Sequence, residues 1–365
     1  MAKKERLYYL DFIRALSTFI IVLTHYNSLY FFFEVKNERA IILGVHPFGI
    51  YIGAFGVSLF LILSGAALYL TYGNAEKFDF KKFYAHRFRR IYPTFWIAYI
   101  FAFLLNFLSS KGASLNGIPR RNIIYSVLGL DSYLANFGVK VFYNIGIWFL
   151  GFIILFYLVC PVFLLAVKHK PIIAGAVCLV LYAGSFLFLG KCDISTLVTT
   201  RLPELMFGMF FIKYFKEGNV RWYVALAALA VLLSNQFFDF SFIQESIRVT
   251  YIGISAFLFL TYISRFFKFA LAQNICSVIC KYSYPCFILH FNVILKVVGG
   301  FDLAAIGRLN SLILFVACLV AIAVASWLLY NAEKIIMAAL FKKRDDVAEN
   351  QSIAEKQPAA ETASK

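Results

Sequence analysis

The chain has 365 residues, 62% hydrophobic and 19% aromatic, where a soluble globular domain has roughly 45–50% apolar residues. A mean hydropathy of +0.78 and long uninterrupted apolar runs exclude a soluble fold and a β-barrel, leaving an all-α, polytopic membrane bundle. The net charge of +16 is read as basic residues collected on the cytoplasmic side of a membrane, so the bilayer and not nucleic acid is the expected partner.

Hydropathy predicts about ten transmembrane helices, near 8–33, 48–72, 92–110, 147–167, 171–190, 202–216, 222–238, 246–263, 284–298 and 311–333. An even number places both termini on one side. Of the 35 Lys and Arg, 23 fall on the leader, the alternate connections that share its side and the tail, and ten on the opposite connections. That bias makes the termini cytoplasmic. The basic leader Met1–Arg6 is followed by no small-residue cleavage site, so the first helix itself serves as the targeting signal.

The first helix carries Asp11, Arg14 and His25 within an apolar run. At about 100° per residue, Asp11, Arg14, Thr18 and His25 share one face within about 60°, and Arg14 and His25 are separated by about 16 Å along the axis. Ionisable groups in hydrocarbon are costly and turn toward a protein interior or a water-filled cavity. The competing reading is that Asp11 and Arg14 anchor a helix end and His25 packs. Asp11 lies roughly 20 Å from His25, too far to orient it, and is spaced i,i+3 to pair with Arg14 and organise the cytoplasmic mouth.

The second helix contains G-V-S-L-F-L-I-L-S-G at 56–65, whose small residues Gly56, Ser58, Ser64 and Gly65 admit close approach of another backbone. The connection at 73–91 is the most charged inner segment. Within it Arg87 and Arg90, spaced i,i+3, share a helix face and suit either bound phosphates or anionic lipid headgroups. The outer excursion 111–146 carries Gly112, Gly117, Pro119, Arg120 and Arg121, and its apolar middle at 122–137 predicts a short interfacial or re-entrant helix. Trp148 opens the fourth helix, either as an interfacial aromatic or as the border of a vestibule. Arg201 and Glu204 open the sixth, spaced to pair with each other. The ninth places His290 inside the membrane, as a packed residue or on an acceptor side. From Lys342 the tail is polar and expected to lack regular structure, giving a membrane domain over 1–341 and a cytoplasmic tail over 342–365. Among the seven cysteines, Cys276 and Cys280 have no further His or Cys in a zinc pattern, so neither a metal nor a disulfide is expected.

These segments, in this order, resemble the acyltransferase 3 family of bacterial membrane O-acyltransferases. Arg14 and His25 are similar to its Arg-x10-His pair following L-D-x-x-R. Residues 56–65 are similar to its G-V-x-L-F-F-x-L-S-G, Arg87 to Arg90 to its R-x-x-R, Arg201 to Gly208 to its R-L-P-E-x-x-x-G, and Tyr284 to Phe291 to its Y-P-x-Y-L-x-H. One position departs: Ile153 stands where many members carry Glu in W-S/T-L-x-x-E-x-x-F-Y. The C-terminal SGNH domain often found in members that acetylate peptidoglycan is also not seen here, which favours a stand-alone enzyme.

The resemblance implies an enzyme of the bacterial inner membrane that moves an acetyl or other short acyl group. The donor is cytoplasmic acyl-CoA, usually acetyl-CoA; the acceptor is a hydroxyl of a surface polysaccharide or its lipid-linked precursor. A buried His suits proton abstraction from a hydroxyl, so His25 is the expected general base, with acyl carriage the lesser option. Arg14, Arg87 and Arg90 would hold the phosphates of the donor, with Asp11, Trp148, Arg201, Glu204 and His290 supporting. A transporter or flippase of lipid-linked saccharides is the competing class; transporters often carry internal repeats, and none is evident. A non-catalytic sensor is a third class, and loss of activity on changing His25 separates the enzyme from both.

Overall fold

The computed structural model describes residues 6–35, 37–109, 117–142, 147–188 and 194–356, with side chains given to Leu340 in the last stretch. Gly112, the lysines Lys36, Lys111 and Lys191 among the ten basic residues of the opposite connections, and Cys192 among the seven cysteines lie outside the described residues, as do the leader up to Glu5 and the tail from 357. Among the described residues every long element is a helix. The order is α1 (Tyr8–Phe32), α2 (Ile52–Tyr72), α3 (Phe80–Ser109), α4 (Ile123–Leu128), α5 (Asp131–Ala135), α6 (Ile147–His169), α7 (Pro171–Phe188), α8 (Leu202–Phe215), α9 (Trp222–Phe237), α10 (Glu245–Ile263), α11 (Ala270–Val298) and α12 (Arg308–Lys356).

Six of these are long and apolar enough to cross a membrane: α2, α6, α7, α10, α11 and α12. The outward faces are what a bilayer requires, with Ile172 86% and Phe188 84% exposed, since lipid is as good a solvent for them as a core. The other four stretches that hydropathy predicts as spans correspond to α1 and α3, which carry the ionisable residues, and to α8 and α9, with 14 and 16 residues.

α2 is the axis of the bundle, packed against α1, α8 and α10. Its approach to α8 is backbone on backbone. A Cβ on Gly65 would fall on the Leu205 carbonyl, and one on Gly208 on the Ile62 carbonyl. Gly253 of α10 closes in the same way on the Ser58 side chain. The small residues expected to permit close approach do so at Gly65 and Ser58, as in small-residue helix crossings generally.

α3 differs from expectation at its start. The charged segment taken as a connection is helical from Phe80, so Arg87, Arg89 and Arg90 ride on the same helix as the apolar run after Pro93. Lys and Arg are good helix formers, and hydropathy registers their aversion to lipid, not to helix. The outer excursion also differs: instead of one helix over 122–137 there are two short ones, α4 and α5. Gly129 ends α4 with φ +73°, a conformation glycine adopts without steric cost. Aromatic side chains of α3 hold this segment. Trp96 Nε1 donates to the Val127 carbonyl at 2.9 Å and Tyr92 Oη to Leu128 at 3.1 Å, while Tyr99 Oη donates to the buried Asp131 at 3.1 Å.

Candidate functional site

A cavity of about 300 Å³ lies between α1, α2, α3, α6 and α11. α1 contributes Arg14, Ile21 and His25, which recur on one face because their spacing matches whole helical turns. α3 contributes Arg87 and Arg90, one turn apart, and α6 contributes Trp148, Leu150, Ile153 and Tyr157. Residues of α1 and α3 more than sixty positions apart in sequence thus meet around one space, including the four with the expected donor-binding and base roles.

The two ends of the cavity differ in chemistry. At one end stand three guanidinium groups. Arg87 is held by aromatic faces, its Cζ 5.5 Å from the Tyr72 ring, 5.9 Å from Phe83 and 5.5 Å from Tyr157, and it donates through Nη2 to Tyr72 Oη at 3.3 Å. Arg14 and Arg90 have no carboxylate partner among the described residues, and no Asp or Glu lines the cavity. Unneutralised arginines around a concave space form a site for an anion, and their planar forks match phosphate or carboxylate oxygens.

At the other end His25 faces the cavity, its ring centroid 5.6 Å from that of Phe291. Its Nδ1 lies 2.9 Å from the Ile21 carbonyl and 3.3 Å from His290 Nε2. The two imidazole rings stand nearly perpendicular, with centroids 4.9 Å apart. His290 is fully buried and sits behind His25, not in the cavity wall. Its Nδ1 is 3.0 Å from the Cys286 carbonyl and 2.9 Å from that of Phe287. Ile153 is part of the cavity wall, so an apolar side chain fronts the cavity at that position.

The remaining expected residues are distributed differently. Asp11 does not pair with Arg14. Its Oδ2 meets Arg6 Nε at 3.0 Å, because Arg14 turns into the cavity while the leader supplies a nearer cation. Trp148 lines the cavity. Arg201 and Glu204 pair with each other at 2.9 Å and are buried, away from the cavity. Arg201 Nη2 also reaches the Ala54 carbonyl at 3.4 Å, so the pair ties α8 to α2. Glu333 lies outside the cavity and accepts from Thr94 Oγ1 at 2.6 Å, joining α12 to α3.

Tyr157, Tyr284 and Phe287, all in the cavity wall, have no site role in the sequence pattern, though Tyr284 opens one of its motifs. The signal was present for α6, where Leu150, Ile153 and Tyr157 recur at i, i+3 and i+7, a single helix face. Tyr284 is fixed by donating to the Ile91 carbonyl at 2.8 Å, a contact between helices that no local spacing announces.

In comparison with known proteins, a family model described as an acyltransferase domain matches residues 7–331. No curated protein and no solved structure matches the chain.

Proposed function

Because the chain belongs to the acyltransferase 3 family, a multi-pass membrane family, we propose that it is an O-acyltransferase that moves an acetyl or other short acyl group from acyl-CoA to a hydroxyl of a surface polysaccharide or its lipid-linked precursor. The observation that carries this reading is the convergence of His25 with Arg14, Arg87 and Arg90 on one cavity that holds no acidic side chain.

In this reading Arg14, Arg87 and Arg90 hold the phosphates of the donor, and its acyl thioester extends along the polar face of α1 toward His25. His25 takes the proton from the acceptor hydroxyl as the oxygen forms its bond to the acyl carbonyl carbon. The carbon–sulfur bond then breaks, and the departing thiolate takes the proton back from His25. General base catalysis of this kind contributes on the order of 10²–10⁴ in rate. The arginine end faces the cytoplasm, where acyl-CoA resides, and both termini lie there in a ten-crossing arrangement of a bacterial inner membrane. The inward bias of basic residues supports that orientation.

The test compares surface glycans from a deletion strain complemented with the wild-type protein or with His25→Ala. Wild type adds about 42 Da per acetylated sugar, the mass change of acyl transfer to a hydroxyl, and His25→Ala, present at equal level in the membrane, adds none. A different acyl increment would keep the enzyme class and change the donor. Unmodified glycan that accumulates inside the cell on deletion would replace this reading with a transporter.

A further inference from the structure

The His25–His290 pair assigns its own protons. His290 Nδ1 faces two carbonyl oxygens, of Cys286 and Phe287. Carbonyls only accept, so this nitrogen carries the hydrogen. In a neutral imidazole the other nitrogen, Nε2, is then a lone pair. That lone pair meets His25 Nδ1 at 3.3 Å, and the Ile21 carbonyl meets the same atom at 2.9 Å. Between two acceptors, His25 Nδ1 must also carry the hydrogen. The opposite arrangement sets lone pair against lone pair at every one of the carbonyl contacts. His25 Nε2 is therefore left unprotonated, and it has no protein partner among the described residues on a side chain that lines the cavity.

From this geometry, and resting on the reading of His25 as general base, we propose that His290 is a positioning residue. Together with the Ile21 carbonyl it holds His25 in the Nδ1–H tautomer, so that the Nε2 lone pair is presented to the acceptor hydroxyl, and it offers a lone pair to the imidazolium that forms. When His25 takes the hydroxyl proton on Nε2, its Nδ1–H bond to His290 becomes charge-assisted and strengthens. The stabilisation thus falls on the state that follows proton transfer, not on the resting one. A carboxylate in the place of His290 would hold the same tautomer, but it would set a negative charge at the end of a cavity whose other end gathers an anion. A neutral imidazole orients His25 without opposing that field. The carbonyls of Cys286 and Phe287 complete the arrangement by preventing the His290 ring from flipping its acceptor away.

The chain has five histidines, few enough to assign by substitution in the intact protein in lipid nanodiscs. Nitrogen-15 NMR of histidine-labelled wild type should show His25 as the Nδ1–H tautomer, the rarer form in water. In His290→Leu, where the Ile21 carbonyl alone still faces Nδ1, the signal should become a mixture with Nε2–H, with kcat lowered by about 10²-fold, the share of a correctly held base, and KM for acyl-CoA unchanged. His290→Gln, whose amide oxygen can accept from His25 Nδ1, should restore most of the rate and the tautomer. An Nε2–H signal for His25 in wild type overturns the proposal without the need for any variant. So does a His290→Leu protein that keeps the Nδ1–H signal and a kcat within about twofold of wild type. If His25→Ala transfers acyl groups at the wild-type rate, the general-base reading fails instead, while the tautomer measurement still stands on its own.

Discussion

At the level of single residues, the site depends on charges left without partners. Arg14 and Arg90 have no carboxylate partner among the described residues, so on the proposed reading each is available to a ligand. A charge-assisted hydrogen bond is worth about 1.5–3 kcal/mol. Arg14→Ala and Arg90→Ala should therefore raise KM for acyl-CoA about tenfold or more, with a smaller change in kcat, because binding in ground and transition states is lost alike. Arg87 should behave differently. Stacked among Tyr72, Phe83 and Tyr157, it needs a planar delocalised cation, and Arg87→Lys should lose most of what Arg87→Ala loses. Steady-state kinetics with varied acyl-CoA separate the cases. The placement of Arg14 and His25 on one face was legible from helical arithmetic alone. The Asp11–Arg14 pair was not, because i,i+3 spacing permits a contact without excluding a closer one, and Arg6 supplies it. The contact between His25 and His290 spans 265 positions, and nothing local to either residue encodes it.

At the level of elements, the bundle is organised by how closely α2 lets its neighbours approach. Gly65 and Gly208 face each other's helix backbone, so a side chain at either pushes two main chains apart and not one flexible group. Gly65→Leu or Gly208→Leu should destabilise the fold by about 1–3 kcal/mol or more, the cost of overpacking. The effect reads out as lower thermal stability in detergent and reduced membrane yield, while a surface change such as Ile172→Leu on the lipid-facing α7 should leave both unaltered. The small residues of α2 made this crossing readable in outline, but not its partner: many helices have glycines, and only the folded chain selects α8. The start of α3 was misread for a different reason. Hydropathy reports where a segment sits relative to lipid, so a helix that leaves the membrane with three arginines on its extension looks like a loop. The break at Gly129 escaped because glycine within an apolar run is compatible with both a continuous helix and a left-handed stop.

Across the whole molecule, composition made the membrane-embedded, all-helical class plain, and among the described residues six helices qualify as spans by length and apolarity. The other four stretches share a physical pattern. α1 and α3 line the cavity with arginines and histidine, so the helices with the site's chemistry are those least like ordinary spans. α8 and α9, with 14 and 16 residues, fall short in length. A consequence concerns what the resting protein does with its positive end. Three guanidinium groups around one cavity, with no carboxylate in its wall among the described residues, should take up small anions from solution. Inorganic phosphate and sulfate should then compete with acyl-CoA, raising its apparent KM in proportion to their concentration and more than chloride does at equal ionic strength, because planar forks prefer oxyanions. On the proposed reading, assay buffer thus becomes a variable of the enzyme, and in the cell the free-phosphate pool would set how much donor is needed to fill the site.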